Sequence, residues 1–360
     1  MYPLRRLTIR GFRSIGRLED FELGNLNVLI GANGAGKSNF ISLFRMLAEL
    51  MAGRLQVFVQ QEGGPDALLF GGRKRTARIE AKFRFGDNGY EISLAPAGDL
   101  LVFAREDTQF FGDWADKVHP LGSGHHEARL PTIPDDSFAP YVRNAISAWR
   151  VYHFHDTGRT AAVRVAQSSR DNIRLKSDAG NLAPFLRRLR ERHPTEYERI
   201  VQTIRLVAPF FGDFVYRTEP GERIELEWFH ADDPDTPFGP LQLSDGTLRF
   251  ICLATLLLQP AVLQPATILI DEPEPGLHPY ALGVLAALLK QAAESRQLIV
   301  STQSVELINA LAPEDVIVVN RKNGGTSLER PDPDQLKEWL NDYTLGELWQ
   351  SNVIGGRPAP

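Results

Sequence analysis

Gly31-Ala32-Asn33-Gly34-Ala35-Gly36-Lys37-Ser38 carries the spacing G-x-x-x-x-G-K-[ST]. That spacing suits the grip of a polyphosphate. Glycines let successive backbone N–H groups curl round an anion where a Cβ would clash. A helix opening at Lys37 adds the positive end of its dipole. The Lys37 ammonium then serves the outer phosphates, and the Ser38 hydroxyl serves a Mg²⁺ ion. A chance glycine loop is the alternative, and the flanks decide between the two. Ala266-Thr267-Ile268-Leu269-Ile270-Asp271-Glu272 is an apolar run ending in two carboxylates. At a strand end Asp271 can hold Mg²⁺ through water opposite Ser38, and Glu272 can orient and deprotonate an attacking water. Alone the pair reads equally as a solvated acidic turn; beside a phosphate loop the catalytic reading is favoured. Leu243-Ser244-Asp245-Gly246 reads by itself as a helix start, with Ser244 as the cap and Gly246 allowing close approach. Gln303 is either an ordinary strand-end polar residue or a group that hydrogen-bonds a γ-phosphate or a water, though never as a cation. His153, His155 and Asp156 are a thin metal-ligand set, and the favoured reading is a phosphate-facing loop. His125 and His126, in a glycine-rich stretch, read as solvated.

The elements that must position these groups follow from periodicity. Leu26-Asn27-Val28-Leu29-Ile30 is a short apolar run, as a buried strand requires, and Phe40, Leu43, Phe44, Leu47 and Leu50 recur at helical spacing after Lys37. The phosphate loop therefore sits between strand and helix. Residues 7–11, 149–155, 223–228, 266–270, 297–301 and 315–319 are expected strands. Residues 181–210, 248–258 and 279–295 are expected helices. Strands alternating with helices at both ends of the chain imply a largely parallel sheet. Residues 76–112 differ, with short alternating runs separated by Gly86-Asp87-Asn88-Gly89 and Ala95-Pro96-Ala97-Gly98-Asp99, the pattern of an antiparallel meander. Residues 113–140, rich in Pro, Gly, His and Asp, are expected to be a long loop. No heptad run of three or more repeats separates the phosphate loop from Ser244, so no long coiled coil is expected.

The order of phosphate loop, Leu-Ser-x-Gly and Asp-Glu resembles the ABC ATPases. Within them the chain resembles the RecF/SMC-like and OLD-like group, including stand-alone predicted AAA family ATPases. Four segments carry the likeness: Ile9-Arg10-Gly11-Phe12-Arg13-Ser14-Ile15, the Asn33 form of the phosphate loop, Asp271-Glu272-Pro273-Glu274-Pro275-Gly276-Leu277-His278-Pro279, and Ser301-Thr302-Gln303-Ser304. The resemblance runs from residue 1 to about 357. It implies an α/β fold, an ABC-type P-loop ATPase head with an antiparallel β lobe and an inserted helical lobe. The expected division is an ATPase domain over residues 1–325, with the β lobe at 76–112 and the helical lobe at 158–215, and a helical tail over 326–360 packed on it. The resemblance also implies ATP and Mg²⁺ as cofactors. Arg13, Asn33, Gly34, Ala35, Gly36, Lys37, Ser38 and Asn39 would bind nucleotide. Ser38 and Asp271 would hold the metal, and Glu272, Lys37 and Gln303 would catalyse. Ser244 and Gly246 would cover the γ-phosphate held by a second copy, which makes a homodimer across two ATP molecules. Where the family often has histidine at its switch position, this chain has Gln303, which points to slow turnover.

The chain has 360 residues, 43% hydrophobic and 24% charged, with a formal net charge of -5. The negative balance gives no global field toward nucleic acid or an anionic membrane, so contact with double-stranded DNA needs a local patch. Arg73-Lys74-Arg75 with Arg78, and the arginines between 187 and 192, are the candidates, each with a solvated basic face as the alternative. One cysteine excludes an internal disulfide and suits a reducing compartment. No signal sequence and no apolar run long enough to span a bilayer are visible, so a cytoplasmic protein without membrane contact is expected. The apolar pattern over residues 334–356 is read as a packed tail or as the docking surface of an effector protein.

Overall fold

The computed structural model describes residues 3–112, 116–134, 139–217 and 222–356. Its centre is a six-stranded sheet in the order Gly325–Glu329, Val316–Lys322, Leu26–Ile30, Gln297–Thr302, Thr267–Asp271, Trp149–Tyr152. The last five run parallel, and Gly325–Glu329 returns antiparallel on one edge. Successive side chains of a strand point to opposite faces. Val28 and Ile30, Ile268 and Ile270, Leu298 and Val300, and Val316 and Val318 accordingly feed one hydrophobic core. Leu29, Leu269, Ile299, Ile317 and Val319 feed the other. Burial on both faces explains why these runs are continuously apolar rather than alternating.

The first core lies under the helices Asp245–Leu258, Pro279–Ala293, Leu182–Arg192 and Pro194–Val207. Cys252 is buried there, and burial pushes its thiol up to about 12, so it acts as a small apolar side chain. The second core lies under the helix Lys37–Met51 and a second, antiparallel sheet of six strands, ordered Ile15–Glu22, Arg6–Phe12, Ile79–Phe85, Asn88–Ala97, Leu100–Phe111, Asp116–Gly122. Trp149 joins the pieces. Its ring centroid lies 5.0 Å from that of Phe44 and 5.9 Å from that of Phe85, so the phosphate-loop helix and the antiparallel sheet share one aromatic contact. Each such pair contributes about 1 kcal/mol beyond the area buried.

Several expectations need correction. The antiparallel sheet extends beyond residues 76–112, because the hairpin Arg6–Phe12/Ile15–Glu22 pairs with Ile79–Phe85. The stretch expected as a loop over 113–140 contains the strand Asp116–Gly122 and opens the helix Ala139–Ser147. The helical span 181–210 is two helices broken at His193, where Pro194 lacks an N–H and disfavours helical backbone before it. The strand expected at 223–228 is two short strands, Arg223–Ile224 and Glu227–His230. The helical tail consists of two short α-helices, Pro333–Leu336 and Leu345–Gln350, with a 3-10 turn, Trp339–Asn341, between them, and Leu336, Leu345 and Leu348 are buried. The strand Gly325–Glu329 crosses the expected boundary at 325. The longest described helices have 15 residues, so no long coiled coil exists among the described residues.

His125 is not solvated. It stacks on Phe103 and places Nε2 2.7 Å from Glu106, a carboxylate with no exposure to solvent. Glu106 also accepts hydrogen bonds from the Tyr90 hydroxyl and from the Arg129 and Leu130 N–H groups. Removing this one acceptor strands four donors inside the lobe. Glu106→Ala is therefore expected to lower stability by about 3 kcal/mol or more, while Tyr90→Phe costs about 1 kcal/mol; urea unfolding of the two variants measures both.

Candidate functional site

The phosphate loop follows the strand Leu26–Ile30 and opens the helix Lys37–Met51. Gly36 has φ 116°, and a Cβ there would overlap the Thr326 hydroxyl, so only glycine fits. A relay of side chains holds the loop from behind. Asn39 Nδ2 donates to Ser14 Oγ at 2.6 Å, Ser14 Oγ lies 2.8 Å from Thr326 Oγ1, and Thr326 donates to the Ala35 carbonyl at 2.7 Å. The Ala32 N–H donates to the Gly356 carbonyl at 2.8 Å, which pins the loop to the tail. Asn33, Gly34 and Ser38 are exposed at the loop's apex and at the helix start. Lys37 is buried and donates to the Gly31 and Ala32 carbonyls at 2.6 and 3.2 Å. Burial lowers its pKa, and the carboxylates of Glu272, Glu274 and Asp271 work against that shift. Lys37 and the acidic strand end therefore face each other across one site.

Asp271 ends the strand Thr267–Asp271 in register with Ser301, whose hydroxyl hydrogen-bonds Asp271 Oδ1. Glu272 follows at φ 44°, its N–H donating to the Ser301 carbonyl at 3.0 Å. Gln303 joins the two glutamates of the box. Its Nε2 donates to Glu272 at 2.5 Å and its N–H to Glu274 at 2.6 Å. Burial raises the Glu274 pKa, and the Gln303 N–H opposes the shift. The exposed Ser38 hydroxyl and the Asp271 carboxylate are oxygen donors, the set that a hard cation such as Mg²⁺ takes.

Arg13, at φ 48° in the turn of the first hairpin, lies 3.5 Å from Asn39 Oδ1 and is ion-paired with Glu62. Arg13, Asn39, Phe70, Arg75 and Arg321 line a cleft of about 380 Å³ beside the loop, in which the Arg75 guanidinium sits 4.4 Å over the Phe70 ring.

Ser244 caps the helix Asp245–Leu258 by accepting from the Thr247 N–H at 3.1 Å, and it is exposed. A Cβ on Gly246 would overlap the Gly276 carbonyl, so the capped turn lies directly on the loop after the acidic box. Two arginines fix this helix. Arg249 donates to the Phe154 and His155 carbonyls at 2.9 and 3.1 Å, and Arg164 holds the Leu243 carbonyl at 3.2 Å and Asp245 at 2.7 Å. Among the described residues no hydrogen bond or ion pair joins Ser244 or Gly246 to residues 31–38. Lys37 thus lies within electrostatic reach of Asp271, Glu272 and Glu274, Gln303 joins the two glutamates and Arg13 meets Asn39, while, among the described residues, Ser244 and Gly246 make no hydrogen bond to the phosphate loop.

His155 Nε2 lies 2.9 Å from the Asp271 carbonyl, and His153 Nδ1 lies 3.9 Å from its carboxylate, so both rings lie against the acidic strand end. Burial and the neighbouring Arg45 push His153 down to about 4. Asp156 instead turns back to accept from the Gly158 N–H. Sequence reasoning missed Ser14, Thr326, Glu62 and Glu274 as parts of the site. Ser14 and Glu274 lie within motifs already singled out, whereas Thr326 and Glu62 arrive from distant segments with no local signal. The basic runs are largely engaged within the chain. Arg73 pairs with Asp66, Arg75 covers Phe70, Arg187 pairs with Glu191, and Arg190 lies over Tyr216.

Residues 26–309 match the family described as "AAA domain, putative AbiEii toxin, Type IV TA system". Among solved structures, the chain is similar to an SmcHead bound to the C-winged helix domain of ScpA, with a TM-score of 0.62 and 16% identity over 92% of this chain and 99% of that one. It is also similar to an Smc head domain with an extended coiled coil bound to the C-terminal domain of ScpA, derived from Pyrococcus furiosus, with a TM-score of 0.57 and 13% identity over 95% and 99%. No protein of curated function matches. At these identities the likeness is one of fold. Taken with the family match across most of the chain, it identifies this protein as a member of that AAA domain family with the ABC-type ATPase fold of an SMC head.

Proposed function

We propose that the chain binds and hydrolyses Mg-ATP and that two copies close on two nucleotides. The observation that carries this reading is a split constellation. Lys37 lies within electrostatic reach of Asp271 and Glu272, and Gln303 holds Glu272, while, among the described residues, the exposed cap Ser244, of the same anion-binding type, makes no hydrogen bond to the phosphate loop of its own chain and Gly246 is buried against Gly276. A second copy completes the pocket. The N–H groups of Asn33 to Gly36, the Lys37 ammonium and the Arg13 guanidinium bind phosphate, with Asn39 holding Ser14 and the loop behind them. Arg13 exchanges Glu62 for phosphate. The cleft over Phe70 receives the base and ribose. Mg²⁺, when bound by Ser38 and Asp271, neutralises charge on the β- and γ-phosphates. Glu272 orients the attacking water and accepts its proton, and Gln303 aims the Glu272 carboxylate.

The dimer's task is proposed as coupling to double-stranded DNA, in repair or genome defence, within the cytoplasm. No described helix is long and apolar enough to cross a membrane. A second reading is control of an effector protein. It is favoured by the exposed, neighbouring rings of Trp339 and Tyr343 in the tail, and by the internal pairing of arginines that DNA would need. ATP-dependent, salt-sensitive DNA binding supports the first reading, and a protein partner lost on Trp339→Ala supports the second.

Glu272→Gln is expected to cut turnover by about 10²- to 10⁴-fold and to accumulate an ATP-bound dimer. Steady-state phosphate release and light scattering with and without Mg-ATP are the measurements, and unchanged hydrolysis would end the role given to Glu272. Gln303→Ala removes a charge-assisted hydrogen bond from that carboxylate. It is expected to lower kcat by about 10- to 100-fold with little change in nucleotide affinity; equal losses in both would assign Gln303 to binding instead.

A further inference from the structure

The acidic strand end has a second neighbour beyond the phosphate loop. The strand Trp149–Tyr152 pairs in parallel with Thr267–Asp271, with Tyr152 opposite Ile270. The residues that leave it include His153 and His155, and both rings lie against the acidic strand end. Their ring centroids lie 6.0 Å apart. One potential ligand atom from each of His153, His155 and the Asp271 carboxylate lies within 4.8 Å of the other two. Among the described residues this is the one group of at least three His, Cys, Asp or Glu side chains that converges in this way.

The tautomer of His155 favours ligation. Its Nε2 is 2.9 Å from the Asp271 carbonyl, which can only accept, so the proton belongs on Nε2 and Nδ1 keeps its lone pair. An imidazole that donates one N–H to a carbonyl and presents the other nitrogen bare is the usual form of a metal-bound histidine. His153 turns Nδ1 toward Asp271 Oδ2 at 3.9 Å. Arg45, on the phosphate-loop helix, contacts the His153 ring closest at Nε2. That guanidinium is the local competitor for an incoming dication.

We propose that His153, His155 and the Asp271 carboxylate bind one transition-metal dication without nucleotide. Two imidazole nitrogens and one carboxylate suit Zn²⁺, Co²⁺, Ni²⁺ or Fe²⁺, whereas Mg²⁺ takes oxygen ligands. Three protein ligands leave positions open for water or a phosphate oxygen. The site stands on its own ligands and does not rest on the ATPase reading.

Co²⁺ is the probe, because its visible absorption reports nitrogen ligation. The full-length protein, stripped of metal and nucleotide, is titrated with Co²⁺ and followed by absorption and equilibrium dialysis. One equivalent is expected, held against a large excess of Mg²⁺. His153→Ala and His155→Ala should each weaken it by more than about tenfold. His155→Asn, which can still donate to the Asp271 carbonyl, should melt like the wild type and yet lose the ion. Arg45→Ala should tighten binding. Wild-type stoichiometry and spectrum in all the histidine variants, or displacement of Co²⁺ by equimolar Mg²⁺, overturns the site. Mg-ATP affinity of the wild type, measured separately with a fluorescent analogue, tests the nucleotide reading, so the two can fail independently.

Discussion

The register of four parallel strands is the constraint on which the rest depends. Ile30 lies opposite Thr302, Ser301 opposite Asp271, and Ile270 opposite Tyr152. The strands therefore end in one row, and the residues that follow, Gly31, Gln303, Glu272 and His153, emerge side by side. Carboxyl ends of parallel strands are where open α/β sheets place their ligands. Here the placement needs no long-range design beyond hydrogen-bond register. A slip of one residue in Thr267–Asp271 would turn Ile268 and Ile270 from one core into the other and carry Asp271 away from Ser301. The apolar cores on both faces make that slip expensive, so the same burial that stabilises the sheet also fixes the distance between Lys37 and the carboxylates.

Backbone strain touches the site at two points, one on this row and one in the hairpin turn beside the phosphate loop. Arg13 and Glu272 are non-glycine residues at φ 48° and 44°, a region that costs about 1–3 kcal/mol per residue. Neither is held by its own preference. The Arg13 N–H donates to the Leu68 carbonyl at 2.7 Å, and its side chain is tied to Glu62. The Glu272 N–H is fixed on Ser301, and its carboxylate on Gln303. Each strained turn aims one charged side chain where an extended turn would not. The surrounding hydrogen bonds, not the turn itself, set the direction.

What the sequence made legible was local chemistry. The phosphate loop, the acidic strand end and the cap at Ser244 could be read because glycine spacing, an apolar run and a helix start each constrain a few consecutive residues. The limits of Leu26–Ile30 and Lys37–Met51 followed for the same reason. What stayed hidden was contact between segments. Thr326 supports Ala35 across 291 positions of sequence, and Arg249 reaches Phe154 across 95. His125 looked solvated because Gly122, Ser123 and Gly124 precede it, and only the fold supplies Glu106. The second sheet was underestimated because its first hairpin, Arg6–Phe12 with Ile15–Glu22, is far in sequence from the strands it joins. In the tail, apolar residues at irregular helical spacing form two short helices, one burying Leu336 and the other Leu345 and Leu348, a division that only the fold sets.

The two buried arginines bind the helix Asp245–Leu258 to the residues that follow the strand Trp149–Tyr152. Arg249 takes the carbonyls of Phe154 and His155, and His155 in turn meets Asp271. Arg164 ties Thr157 to Leu243 and Asp245. Both guanidiniums are almost wholly removed from solvent, and burial lowers the Arg249 pKa. A buried guanidinium stripped of one acceptor costs several kcal/mol, so these bonds break together or not at all. Residues 153–157 and the helix cap at Ser244 are consequently one mechanical unit. An ion or phosphate that shifts His155 moves the carbonyls on which Arg249 rests, and with them the turn that Gly246 packs against Gly276. The phosphate-loop side of the acidic strand end and the helix cap at Ser244 are thus coupled within a single chain by groups that no short motif encodes.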